Sequence, residues 1–185
     1  GGGALAPEVT TRVLDAFSFV GAFSLGAARG GATEIVALDR SATAIAAGAS
    51  IAAENGVGDK IRFMRGDTKE ALPAMRARGE RFDLVVCDPP KLATTVKDLE
   101  RARRAYRRVN ANSLALVEPG GLLMTCSCSA AMSVEDLART VALAARDVAR
   151  EVQWLETHEQ AADHPMLPAF EHGRYLSALL FRVDR

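Results

Sequence analysis

The sequence is poor in several residue types, and each shortage excludes something. Only three of 185 residues are cysteine: Cys87, Cys126 and Cys128. An odd number, with two of them two residues apart, makes a poor disulfide framework and suits a reducing, cytoplasmic setting. The C-x-C pair has no second pair at ligand spacing, so no zinc is expected. His158, His164 and His172 are scattered without metal spacing. Neither sign of charge is in excess, since 23 Lys and Arg face 23 Asp and Glu. A histone-like, wholly basic nucleic-acid binder is excluded, although a local basic patch is not. No apolar run reaches the length of about 18 residues that a membrane span needs, so no membrane partner is expected. Gly1-Gly2-Gly3 lacks the basic start and apolar run of a signal peptide. Residues 1–11 read as an N-terminal segment or linker remnant before one domain over 12–185. With 49% hydrophobic and 25% charged residues, the chain can bury a sizeable core and is not a disordered one.

Short apolar runs alternate with longer helical ones. Strands are expected at Arg12–Phe17, Glu34–Asp39, Ile61–Met64, Phe82–Cys87, Gly121–Cys126, Glu151–Glu156 and Tyr175–Val183. Continuous apolar runs of this length suit strands buried on both faces of a parallel sheet. Helices are expected from the cap Ser41 to Asn55-Gly56, over Thr68–Arg78, over Leu99–Val117, and from Ser133 to Arg150. Ser133 with Asp136 three residues on resembles a capping box. The alternation predicts an α/β fold with a doubly wound, mostly parallel seven-stranded sheet. The last run follows the sixth with no long helix between, which predicts an antiparallel last strand.

In open α/β sheets ligands sit beyond the carboxyl ends of the strands. Four of those ends carry Asp: Asp15, Asp39, Asp67 and Asp88. Asp39 lies 24 residues after Asp15, close to the spacing of a ribose-binding acid. Gly21 stands alone where a dinucleotide site needs three glycines, which leaves an adenosine ligand without a pyrophosphate. Each Asp taken singly also reads as a turn former or helix cap. Asp88-Pro89-Pro90-Lys91 is the sharper signal. Two prolines fix φ and remove two donors, giving a stiff loop whose carboxylate and carbonyls can hold the edge of a flat heteroaromatic group. Cys87, inside a strand, reads as core. Cys128, at a strand end between Ser127 and Ser129, has the setting of a nucleophile. Arg101, Arg103, Arg104, Arg107 and Arg108 crowd one helix, and read equally as a solvated face or a phosphate-binding one.

These features in this order resemble class I S-adenosylmethionine-dependent methyltransferases. More narrowly, they resemble the catalytic domain of the large-subunit ribosomal RNA (cytosine carbon-5) methyltransferase family. The resemblance rests on Asp15-Ala16-Phe17-Ser18-Phe19-Val20-Gly21-Ala22-Phe23-Ser24, Asp88-Pro89-Pro90-Lys91, Ala105-Tyr106 with Asn110, Pro119-Gly120-Gly121 and Ser127-Cys128-Ser129. It extends to Gln160-Ala161-Ala162-Asp163-His164-Pro165 and Gly173-Arg174-Tyr175-Leu176. It implies a Rossmann-like sheet, S-adenosylmethionine as cofactor and ribosomal RNA as partner, with a homodimer as an open assembly. Asp15, Phe17, Ser18, Phe19, Gly21 and Phe23 would lie under the methionine part of the cofactor. Asp39 and Arg40 would face the ribose, and Asp67 the adenine. Asp88, Pro89, Pro90, Lys91 and Tyr106 would form the base pocket, with Cys128 as covalent nucleophile and Asp88 assisting. Leu92 stands where the family has an aromatic, and Cys126 where it has another residue. The upstream RNA-binding domain of that family has no counterpart here, so the chain reads as a catalytic domain alone. Two rivals are a methyltransferase acting on a purine nitrogen, and a non-catalytic, cofactor-binding module of ribosome assembly.

Overall fold

In the computed structural model, residues 10–92, 98–129, 131–161, 164 and 175–185 are described. Arg12–Ala16 forms β1, an inner strand of the sheet, where Val13 to Ala16 are all buried. It pairs in parallel with β2 (Glu34–Asp39) on one side and β4 (Phe82–Cys87) on the other. β3 (Ile61–Arg65) lies outside β2, and β5 (Val117–Ser127) lies outside β4. β7 (Ser177–Val183) runs antiparallel beside β5, and β6 (Val152–His158) closes that edge. The order is β3-β2-β1-β4-β5-β7-β6. The antiparallel last strand and the doubly wound sheet agree with expectation. Winding reverses between β1 and β4, so the crevice opens where those two strands end.

Alternation along the strands gives each face its own core. Leu14, Ala16, Val36, Leu38, Phe82, Val85 and Leu123 pack on one face with α3 (Thr68–Ala77), α4 (Leu99–Leu114) and α5 (Val134–Asp147). Val13, Ile35, Ala37 and Ile61 pack on the other with α1 (Ala22–Arg29) and α2 (Ala42–Glu54). The expected caps are present. Ser41 Oγ accepts from the Ala44 amide at 3.2 Å, and Ser133 Oγ from the Asp136 amide at 3.1 Å.

Three expectations need correction. α1 has no counterpart among the expected helices, and its first residues fall in the expected ligand loop; its cap is Gly21, in the left-handed region at φ 83°, which offers no side-chain signal. α4 stops at Leu114 rather than Val117. β5 starts at Val117 rather than Gly121, and a bulge between Phe82 and Leu84 of its neighbour absorbs Pro119 and Gly120. The stretches 1–9, 162–163 and 165–174, which carry most of the N-terminal segment, His172 and part of the C-terminal resemblance, lie outside the described residues.

Candidate active site

The sheet register builds the site. Leu38, Ala16, Cys87 and Thr125 form one row across β2, β1, β4 and β5. The next positions along the chain are Asp39, Phe17, Asp88 and Cys126. Cys128 lies two residues further, about 7 Å beyond Cys126 toward the open edge of the sheet. β7 starts at this edge because it runs the opposite way, which brings Tyr175 and Leu176 to the same place. A cavity of about 870 Å³ opens there, near the top of the range for small-molecule sites.

The loop from β1 to α1 floors the cavity by a left-handed path. Phe17 has φ 68°, Phe19 φ 50° and Gly21 φ 83°. Two bulky residues in that region hold strain that the surroundings must offset. The offset is visible: Ser18 N–H donates to the Leu38 carbonyl at 2.9 Å, Phe19 N–H to Asp39 Oδ2 at 2.9 Å, and Gly21 N–H to the Ser18 carbonyl at 2.7 Å. Asp15 is buried below and accepts from Ser24 N–H at 3.0 Å and Ser24 O–H at 2.7 Å. Its Oδ1, like Ser18 Oγ, is buried without a protein partner. Burial pushes the Asp15 carboxyl up to about 6; the Ser24 bonds oppose this, while Asp88 and Asp39 add to it. Gly48 of α2 lets the loop pack so close, since a Cβ there would lie 2.9 Å from the Val20 carbonyl and 2.5 Å from the Phe63 ring.

Asp39 lines the cavity with Arg40, while its Oδ1 accepts from Ser41 N–H at 2.8 Å. Asp67 also lines it and caps α3 by accepting from Lys69 N–H at 2.9 Å. Asp88, Pro89 and Pro90 form the opposite wall. Burial raises the Asp88 carboxyl. Cys128, half-buried, completes that wall, whereas Cys126 is 2% exposed and Cys87 is sealed. Burial and then Asp88 raise the Cys128 thiol, and Lys91 opposes them. Burial lifts Cys87 to about 12 and takes Cys126 higher still.

Of the expected contacts, Phe17, Phe19, Asp39, Arg40, Asp67, Asp88, Pro89, Pro90 and Cys128 meet at the cavity. Asp15, Ser18 and Gly21 sit beneath the loop and shape it, and Phe23 is on α1, off the wall. Lys91 is exposed between wall residues Pro90 and Leu92. Tyr106 needs correction as a substrate contact. It is completely buried, and its O–H donates to Ser127 Oγ at 2.9 Å, which also accepts from Ser129 N–H at 3.3 Å. Tyr106 therefore braces the backbone on both sides of Cys128. The wall of α4 is instead Ala105, Arg108, Val109 and Asn112, one helical face. Lys69, Val109 and Asn112 carried no sequence signal. Among the described residues no group of three His, Cys, Asp or Glu could hold a metal.

The donor set fits an adenosine cofactor bearing positive charge. Asp39 offers acceptors for a diol and Asp67 one for an exocyclic amine, with Phe17 and Phe19 as apolar walls. Asp88 and Asp39 each repel the Asp15 carboxylate, and a cationic ligand relieves that repulsion. A doubly wound sheet with acidic strand ends and no phosphate-cradling glycine loop defines the class of methyltransferases that use a nucleoside sulfonium. Over residues 6–182 the chain matches the family described as S-adenosylmethionine-dependent methyltransferase, and it belongs to that family. It is 38% identical over 173 residues to the ribosomal RNA large subunit methyltransferase I of Serratia proteamaculans, covering 93% of this chain and 44% of that protein. The chain thus spans less than half the length of such relatives. A putative methyltransferase from Streptococcus mutans superposes with a TM-score of 0.79 at 20% identity, covering 92% of this chain and 44% of that one. A putative methyltransferase complexed with SAH superposes with the same values.

Proposed function

We propose that the protein transfers a methyl group from S-adenosylmethionine to carbon 5 of a cytosine in ribosomal RNA, through a covalent adduct on Cys128. One observation carries the reading. Of three cysteines, only Cys128 reaches the cofactor cavity, and it does so on the wall that Asp88 shares. Methylation at a purine nitrogen needs no thiol there. The relatives named as ribosomal RNA methyltransferases support the choice of RNA.

Cytosine carbon 5 is a poor nucleophile. Addition of the Cys128 thiolate to carbon 6 makes carbon 5 electron-rich; after carbon 5 takes the methyl group, transfer of its proton to water as base re-forms the double bond and expels the thiolate. When bound, the cofactor supplies the electrophilic methyl group. Asp88, on the wall that Cys128 shares, is placed to hydrogen-bond the ring nitrogen and amino group of the base, where charge develops. Pro89 and Pro90 hold that carboxyl on a stiff loop, and the Tyr106–Ser127 bond fixes the strap that carries Cys128. The target base must leave its stack to reach this depth, which is easiest in single-stranded RNA. Incubation of isolated ribosomal RNA with methyl-labelled cofactor, followed by nucleoside digestion, tests the reading. Label in 5-methylcytidine is expected; label in a purine, or none, overturns it.

A further inference from the structure

The five arginines of α4 fall into two groups. Arg101 pairs with Asp98 at 2.9 Å. Arg103 bridges Glu100 and Asp136, the latter at 2.6 Å. Arg107 grips Asp147 with two bonds of 2.7 and 2.6 Å. Among the described residues Arg104 and Arg108 have no ion pair. They are one turn apart on one face of the helix, both are exposed, and Arg108 lies on the cavity wall. An arginine already neutralised by a carboxylate gains little from a phosphate, whereas an unpaired one exchanges its counterion for it. Arg40 and Lys69, which also line the cavity, add two further cations.

The rim also carries exposed aromatic surface. Phe19 is 65% and Tyr175 40% exposed, and both line the cavity. Phe19 belongs to the strained cofactor loop. Tyr175 stands at the start of β7, at the mouth. A stacking surface beside unpaired guanidinium groups is the chemistry of single-stranded nucleic-acid recognition. We infer that the rim holds the nucleotides flanking the target base: Tyr175 stacks on a neighbouring base, and Arg108 and Arg104 take the phosphates along α4. This rests on the RNA reading above and adds the track that presents the strand to Cys128. It also separates the arginines that bind from those that pair within α4 or fasten it to α5.

Fluorescence anisotropy of a short, cytosine-containing single-stranded oligoribonucleotide, titrated over a range of KCl without cofactor, tests it. The double variant Arg104→Gln/Arg108→Gln should flatten the logarithmic salt slope by about 1.4, roughly 0.7 per lost phosphate contact. Arg104→Lys/Arg108→Lys, which keeps both charges, should retain it. Arg103→Gln/Arg107→Gln should leave the slope as it was, with circular dichroism to show that each variant is folded. Tyr175→Ala should weaken binding roughly tenfold at every salt concentration without changing the slope. The inference is overturned by a slope indifferent to Arg104 and Arg108, by an equal change from the Arg103 and Arg107 pair, or by no binding at low salt. Label transfer to 5-methylcytidine with an unchanged slope would sink the track alone. A slope that responds as expected, with no label transferred, would sink the methylation reading alone.

Discussion

Replacing Asp15 by Asn should make the cofactor-free protein more stable at neutral pH. The Asp15 carboxyl is completely buried and displaced from 3.8 to about 6, a difference of about 3 kcal/mol between its two protonation states. The direction follows from linkage. Below about pH 4 the group is protonated whether the chain is folded or not, and its burial costs little. As pH rises past about 6 it ionises in the folded chain too, and the favourable contribution is lost. Asp15→Asn keeps an oxygen for both Ser24 donors and places a neutral amide nitrogen at the unpartnered position. Urea unfolding without cofactor should therefore show the variant about 1–3 kcal/mol more stable at pH 8 and nearly equal at pH 4. In a chain of this size that is a rise in Tm of several degrees. Asp88 titrates in both proteins, so the difference between them reports Asp15 together with its repulsion of Asp88. Calorimetry should show the opposite trend for ligand, with weaker S-adenosylmethionine binding by the variant. Equal offsets at both pH values, or lower stability at pH 8, would refute the reasoning.

Two other perturbations probe the parts that hold the site. Gly48→Ala should improve helix propensity by about 1 kcal/mol yet destabilise the protein by roughly 1–3 kcal/mol net through overpacking. The added Cβ meets the Val20 carbonyl at 2.9 Å, so calorimetric cofactor affinity and Tm should fall together. Lys91→Gln removes the charge that opposes the rise of the Cys128 thiol. The pH at which iodoacetamide alkylates Cys128 half-maximally should move upward, while Cys87 and Cys126 stay unlabelled; an unmoved profile would mean that Lys91 does not act on the thiol.

Strands were legible in the sequence because those buried on both faces are mostly apolar: Ile35–Leu38 is so throughout, and Asp15 is the single polar break in Val13–Ala16. α1 was not, because a left-handed Gly21 cap leaves no side-chain mark and the helix continues directly from a ligand loop. Pro119 and Gly120 lie inside β5, although the expected strand began only at Gly121. The close approach of Gly121 to the Asp83 carbonyl, where a Cβ would sit at 2.8 Å, needs that glycine. The acidic strand ends and Cys128 were legible because they follow directly from strand boundaries. Tyr106 was misplaced because motif spacing does not reveal the rotation of a helix. It shares the buried face with Ala102, Asn110 and Ser113, about 100° from the face that carries Ala105 and Arg108. Lys69 and Asn112 reach the cavity only through packing of α3 and α4, which local pattern does not encode.

The covalent role of Cys128 is the central claim, and trapping tests it most directly. RNA carrying 5-fluorocytosine at the target cannot lose the carbon-5 substituent as a proton, so the adduct should persist. With cofactor present, the unaltered protein and Cys126→Ala should each run as a covalent protein–RNA species on a denaturing gel, and Cys128→Ala should not. Trapping by Cys128→Ala, or failure of the unaltered protein to trap while it still makes 5-methylcytidine, would contradict the account.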